Sequence, residues 1–310
     1  MSKTLTLTAA DGHGLFAEFT PAKGTLRGAV HLAHGMGEHQ GRYTHVRAAL
    51  NAAGFAVLAH DHRGHGQTAD LNGDPLGHMT SGGATKEDWV SDMGVARQAL
   101  IEEVGAEVPL ILLGHSMGSF FAQRTVQAHP DWYGTLILSG STGRPTAKQN
   151  LASWIPRIEA RLRGRDKPCK IFHELTFQDF NRPFKGDGHR QAWLSRDPEI
   201  WAAYAADPHC DYVVYCGGYV ELGKMIQANF TEAGLGALRA DMPTLIFGGT
   251  CDVLSDMGPG LERLAEEWKG RGVQDLSLKL WEGGRHECLN ETNRDEVIGF
   301  MVEWLKEKHA

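Results

Sequence analysis

Six short runs, Ala29 to Ala33, Phe55 to His60, Pro109 to Leu113, Thr135 to Leu138, Thr244 to Phe247 and Leu276 to Leu280, are nearly continuously apolar or too brief for a helix. Strands without polar alternation are buried on both faces, as in a parallel sheet covered by helices. Stretches of helical period lie between them: Arg42 to Ala53, Thr85 to Val104, Met117 to His129, Leu261 to Lys269 and Asn293 to Lys308. Ahead of the series, Thr4 to Thr8 and Leu15 to Phe19 flank a turn at Asp11-Gly12 and read as two antiparallel strands. The pattern predicts an α/β fold with a mostly parallel central sheet flanked by helices.

One interval breaks the rhythm. Residues 142–238 separate two strands by far more chain than a crossover of a dozen or so residues needs, and they hold nearly half of the aromatic residues. The expected organisation is a core built from residues 1–141 and 239–310, with a mainly helical cap inserted at 142–238 and docked on it.

Composition narrows the function. With 31 Lys and Arg against 38 Asp and Glu the formal net charge is -7, so a nucleic-acid partner, which needs a basic footprint, is not expected. No apolar run approaches the roughly 18 residues of a membrane helix, and Met1 to Asp11 has no signal-peptide character. Five cysteines (Cys169, Cys210, Cys216, Cys251, Cys288) are odd in number and form no C-x-x-C, so neither a disulfide framework nor a structural zinc site is indicated. A reducing cytoplasm is the expected home.

Chemistry concentrates at the tips of the expected strands. Gly114-His115-Ser116-Met117-Gly118 is a G-x-S-x-G at a strand-to-helix turn, where two glycines give a nucleophile on a strained backbone its clearance. A hydroxyl needs a base, and the base an orienting acid. Asp252 stands just past Thr244 to Phe247, with Asp256 in reserve, and beyond it the only histidines are His286 and His309, the latter on a terminus expected to fray. Ser116, Asp252 and His286 are therefore the candidate catalytic residues. The oxyanion of a tetrahedral intermediate needs N–H donors: Met117, directly after the nucleophile, and Met36 in the turn His34-Gly35-Met36-Gly37-Glu38-His39.

Sixteen histidines, among them His31, His34, His60, His62 and His65, invite a metal reading. The segment His60-Asp61-His62-Arg63-Gly64-His65 places its aspartate between the first two histidines rather than before the third, and there is no H-E-x-x-H. No catalytic metal is expected, and Asp61 and Arg63 read as residues that fix a loop.

Together, His34 to His39, Asp61-His-Arg-Gly-His-Gly66, Gly114 to Gly118, Asp252 and His286 resemble the monoacylglycerol lipase and lysophospholipase branch of the α/β-hydrolases, often grouped with serine aminopeptidase-like hydrolases. The cap segments Phe180 to Phe184, Trp193 to Asp197 and Asp207-Pro208 resemble bacterial members of that branch. The resemblance covers nearly the whole chain. It implies Ser116 as nucleophile, His286 as general base, Asp252 as its acid and the Met36 and Met117 amides as oxyanion hole, with no cofactor. Met36 replaces the family's usual small residue, which narrows the acyl site.

The expected activity is hydrolysis of small carboxylic esters, monoacylglycerol, lysophospholipid or other short to medium acyl esters, through an acyl-enzyme. Amide or peptide hydrolysis on the same fold and a non-catalytic ligand-binding relative are the alternatives. In the cap, Leu151, Trp154, Ile155, Ile158 and Leu162 recur at helical spacing, with Arg157, Arg161, Arg163 and Arg165 mainly on the other side or just beyond the end, and Pro156 starts or breaks the stretch. Such a stripe either packs over Ser116 as a lid or opens onto a lipid surface.

Overall fold

The computed structural model describes residues 2–309. Eight strands, β1 (Lys3–Thr8), β2 (Gly14–Thr20), β3 (Gly28–Ala33), β4 (Phe55–His60), β5 (Leu110–His115), β6 (Thr135–Ser139), β7 (Thr244–Gly249) and β8 (Leu276–Trp281), form one sheet in the order β1-β2-β4-β3-β5-β6-β7-β8. β1 and β2 are antiparallel to each other, β2 is antiparallel to β4, and every pairing from β4 to β8 is parallel. The helices are α1 (Thr44–Ala52), α2 (Gly66–Asn72), α3 (Lys86–Val104), α4 (Met117–Ala128), α5 (Ala147–Ala152), α6 (Trp154–Arg163), α7 (Lys170–Asn181), α8 (Pro198–Ala206), α9 (Cys216–Asn229), α10 (Glu232–Gly236), α11 (Pro259–Gly270) and α12 (Arg294–Lys308).

The apolar runs pack two cores at once. Along β5, Leu110 and Leu112 join Trp89, Phe121 and Trp268 from α3, α4 and α11 on one face of the sheet. Ile111 and Leu113, pointing the other way, join Leu50 of α1 and Met301 and Leu305 of α12. Each fully buried Leu or Ile stabilises by about 1.5–3 kcal/mol, so truncating one to Ala breaks both packing and cavity terms at a cost of about 2–5 kcal/mol. A capping box, in which the Thr85 side chain and Asp88 satisfy each other's backbone donors, starts α3 at the expected residue.

Three local departures have physical causes. The expected helix from Arg42 opens as a 3₁₀ turn at Gln40–Tyr43 before α1, because the His39 ring accepts the Gly41 N–H and Arg42 is drawn inward. β8, at the sheet edge, is only half-buried along its middle rather than covered on both faces. His309 does not fray: its Nε2 lies 3.1 Å from the Thr135 hydroxyl, and its ring packs edge-on against Phe55.

β6 and β7 are sheet neighbours, yet α5 to α10 lie between them in sequence. Phe184, Trp193, Leu194 and Tyr204 form a separate apolar cluster there, backed by Phe177, Phe180 and Trp201. Trp193 reaches down to the strand tips. Among the described residues, no helix is long and apolar enough to cross a membrane.

Candidate active site

Parallel strands bring their carboxyl ends to one edge, and the register sets Ala33, His60 and Gly114 side by side there. β5 passes straight into α4 through Ser116, whose φ of 51° and ψ of -118° put a non-glycine residue in a sparsely populated region. The flanking glycines explain how the turn closes. A Cβ on Gly118 would lie 2.2 Å from the Ala33 carbonyl oxygen, and one on Gly114 would lie 2.4 Å from the Gly118 oxygen. The Ser116 N–H donates to the Ser139 carbonyl at 3.0 Å, tying the turn to β6.

The loop after β8 carries His286 across the strand tips. Its Nε2 lies 2.9 Å from Ser116 Oγ, and its Nδ1 lies 3.0 Å from Asp252 Oδ1. A carboxylate only accepts, so Nδ1 holds the ring proton and Nε2 is left to accept from the Ser116 hydroxyl. Asp252, fully buried past the end of β7, is aimed by the Leu254 N–H, which donates to the same Oδ1 at 2.9 Å. Burial alone would push the His286 pKa down. The Asp252 charge and hydrogen bond, with Glu287 and Glu38 adding to them, outweigh burial and leave it above the ordinary 6.5. The reserve acid, Asp256, is exposed and pairs with Arg263 instead.

Met117 begins α4, so its N–H has no acceptor within the helix. The turn bearing Met36 lies against the same point, for a Cβ on Gly35 would stand 3.2 Å from Ser116 Cβ. The Met36 side chain is partly buried against the main core. The structure therefore gathers Ser116, Asp252, His286 and the Met36 and Met117 segments at one edge.

Sequence reasoning missed what supports them. Glu38 accepts from the Gly35 N–H at 2.6 Å and from the Tyr43 hydroxyl at 2.7 Å. Arg42 donates to Glu38 at 2.6 Å and, with both ends of its guanidinium, to Glu287 at 2.6 and 2.8 Å. This largely buried Glu–Arg–Glu chain joins the turn of Met36 to the residue after His286. Glu38 stood within a motif noted in the sequence, whereas nothing local marks Arg42 or Glu287. From the aromatic cluster, the Trp193 carbonyl accepts the His286 N–H, and its ring lies 5.1 Å from the imidazole. Arg42 also sits 4.8 Å over the Tyr204 ring.

Four of the histidines considered for a metal, His31, His34, His60 and His65, make hydrogen bonds through their rings. His31 reaches Tyr133 through Nδ1 and His60 through Nε2, and His34 accepts the His62 N–H. Asp61 receives the Gln40 and Gln67 N–H groups, while Arg63 is clasped by Asp11 and Asp92. Cys288 is fully buried and its thiol is pushed well up by that burial, whereas Cys251 is partly exposed. Of the stripe, Leu151, Trp154, Ile158 and Leu162 face solvent rather than Ser116, each being 54–79% exposed, while Ile155 is partly buried. The helical stretch divides at Ser153, and Pro156 falls in the first turn of α6, where its missing N–H costs nothing.

Residues 24–293 match the family model described as "Serine aminopeptidase, S33". A monoacylglycerol lipase of Mycolicibacterium smegmatis is 30% identical over 90% of this chain and 88% of its own. The human monoglyceride lipase is 32% identical over 98% of this chain and 90% of its own. Among solved structures, a thermostable carboxyl esterase from Bacillus coagulans in complex with glycerol superposes with a TM-score of 0.89 at 25% identity, covering 99% of this chain and 98% of that one. With the matching family model spanning most of its length and the sheet and site arranged as described, the chain belongs to the serine aminopeptidase family of α/β-hydrolases.

Proposed function

We propose that this protein is a serine hydrolase of carboxylic esters, with Ser116 as nucleophile, His286 as general base and acid, Asp252 as the orienting carboxylate and the Met36 and Met117 amides as oxyanion hole. The observation that carries the reading is the continuous chain from Ser116 Oγ to His286 at 2.9 Å and on to Asp252 at 3.0 Å. In it, Ser116 Oγ attacks the ester carbonyl carbon as its proton passes to His286 Nε2. Asp252 stabilises the imidazolium while the two amides receive the oxyanion. Collapse expels the alcohol, which takes the proton from His286, and water repeats the cycle on the acyl-enzyme to release the acid. The residues need no cofactor for this.

The relatives' names support monoacylglycerols as the substrate class, with lysophospholipids and other short to medium acyl esters within the same chemistry. On this reading residues 142–238 are a cap over a core formed by 1–141 and 239–310. The exposed apolar residues of α5 to α7, Leu151, Trp154, Ile158, Leu162, Ile171 and Leu175, make a transient contact with lipid aggregates. The word aminopeptidase in the family description favours one competing reading, cleavage of an amide.

A fluorophosphonate probe should label the wild type at Ser116 and leave Ser116→Ala unlabelled. A panel of glycerol esters of increasing chain length beside aminoacyl amides then separates the readings. Turnover of amides in preference to every ester would overturn the ester assignment, and no labelling would overturn both.

A further inference from the structure

Glu159 of α6, Cys169 just before α7 and Cys216 at the head of α9 are distant in sequence and belong to no spacing motif. Their ligating atoms nevertheless all lie within 4.8 Å of one another, and all three residues are buried, the cysteines completely. Backbone pairing holds the two sulfurs in place: the Cys169 N–H donates to Val214 and the Cys216 N–H to Lys167, around the bridge between Pro168 and Tyr215. Glu159 is oriented from behind. Arg163 donates to its Oε1 at 2.9 Å, while Oε2 lies 3.3 Å from Cys169 Sγ and takes weak bonds from the Ile171 and Phe172 N–H groups.

We propose that Cys169, Cys216 and Glu159 bind a soft divalent cation of the zinc type, which fastens α6, α7 and α9 to one another. Tetrahedral zinc with bonds of about 2.3 Å to sulfur and 2.1 Å to oxygen puts ligand atoms about 3.6 Å apart, so the observed spacing needs only small side-chain adjustments. The charge balance favours the exchange. Two thiol protons leave as one dication enters, so the buried cluster keeps a single net negative charge, and Arg163 already faces it. Arg163 and the first amides of α7 then act as the outer partners that orient a ligating carboxylate. A fourth position is left to a water or a small anion, as in three-ligand zinc sites. The trio His39, Asp207 and Cys210 is equally close but does not qualify. His39 and Asp207 are only partly buried, and Asp207 already pairs with His39 Nε2 at 2.9 Å and accepts the His209 N–H at 2.8 Å.

The site is independent of the hydrolase reading and is tested without an activity assay. Reduced full-length protein is loaded with Zn2+, desalted and analysed for metal, and in parallel loaded with Co2+ for its absorption spectrum. The wild type should retain about one equivalent of Zn2+ and gain at least about 2 °C in Tm from it. Its Co2+ form should show thiolate charge-transfer and tetrahedral d–d bands. Cys169→Ser, Cys216→Ser and Glu159→Gln should each lose at least tenfold in Zn2+ affinity. The Co2+ spectrum is read on the wild type, so it stands even where a variant fails to fold. Absence of retained Zn2+, equal retention in all three variants, or a Co2+ spectrum without thiolate bands would each overturn the proposal.

Discussion

Ser116 is held where a side chain costs about 1–3 kcal/mol of backbone strain, and the neighbouring strands and glycines pin it there. Ser116→Ala removes one oxygen and none of those constraints. It should fold as the wild type does and lose about 10⁴-fold or more in ester turnover, because triad residues act as a unit; more than a tenth of wild-type turnover would rule Ser116 out. Asp252→Asn keeps the shape but places an amide donor or a neutral oxygen against Nδ1, so a fall of about 10⁴-fold in kcat is expected. Asp256→Asn only breaks an exposed ion pair with Arg263 and should leave kcat within about twofold. The reverse order of damage would reassign the acid. His286 must be neutral to accept the hydroxyl proton, and its pKa lies above 6.5, so kcat/KM should fall with decreasing pH along a limb whose midpoint is above 6.5.

At the scale of elements, the turn before α1 and the loop after β8 are separate in sequence and joined by the fork of Arg42. Lys cannot make that bidentate contact. Arg42→Lys should leave the carboxylates with a countercharge while loosening both loops, and a displacement near 1 Å costs about 10²-fold, expected in kcat rather than KM. Glu287→Gln removes one of the charges that raise the His286 pKa, so the acid limb should move to lower pH. A purely structural role would reduce the melting temperature and leave that limb in place. The outward face of α6 makes a different prediction. Replacing Trp154 and Ile158 by Ser removes exposed apolar surface and should change Tm little. Binding to anionic vesicles and hydrolysis of micellar monoacylglycerol should weaken, with a soluble short-chain ester turned over nearly as before; equal loss on both substrates would deny the lipid contact.

Over the whole molecule, buried histidines tie stability to pH. Burial lowers the pKa of His60, His65 and His115 to about 4 and drives those of His31, His34 and His62 well below 6.5. The unfolded chain binds these protons near pH 6.5 and the folded chain does not. Stability is therefore intact above that pH and is lost as pH falls from about 6.5 toward 4, by up to about 1.4 kcal/mol per pH unit for each group. Urea midpoints measured between pH 7.5 and 4.5 should drop steeply below 6.5; a flat series would mean that the rings titrate as they do in water.

The sequence by itself determined the central sheet and the identity of the candidate site. Apolar runs such as Phe55 to His60 can only be satisfied by cover on both faces, and Gly114 and Gly118 give a tight, strained turn at Ser116 the clearance it needs. Both are local demands, set by side-chain period and backbone sterics within a few residues. What joins distant segments was not legible. Arg42 meets Glu287, and Cys169 meets Glu159 and Cys216, only because the folded chain carries them together, and no spacing along the chain encodes such a meeting. The face of α6 was likewise undecided: its period showed that one side is apolar, but which side meets the rest of the protein depends on what packs against it. In the folded protein Pro156 and Glu159 turn inward and Trp154 and Ile158 outward, because the buried partners of Glu159 lie at the head of α7.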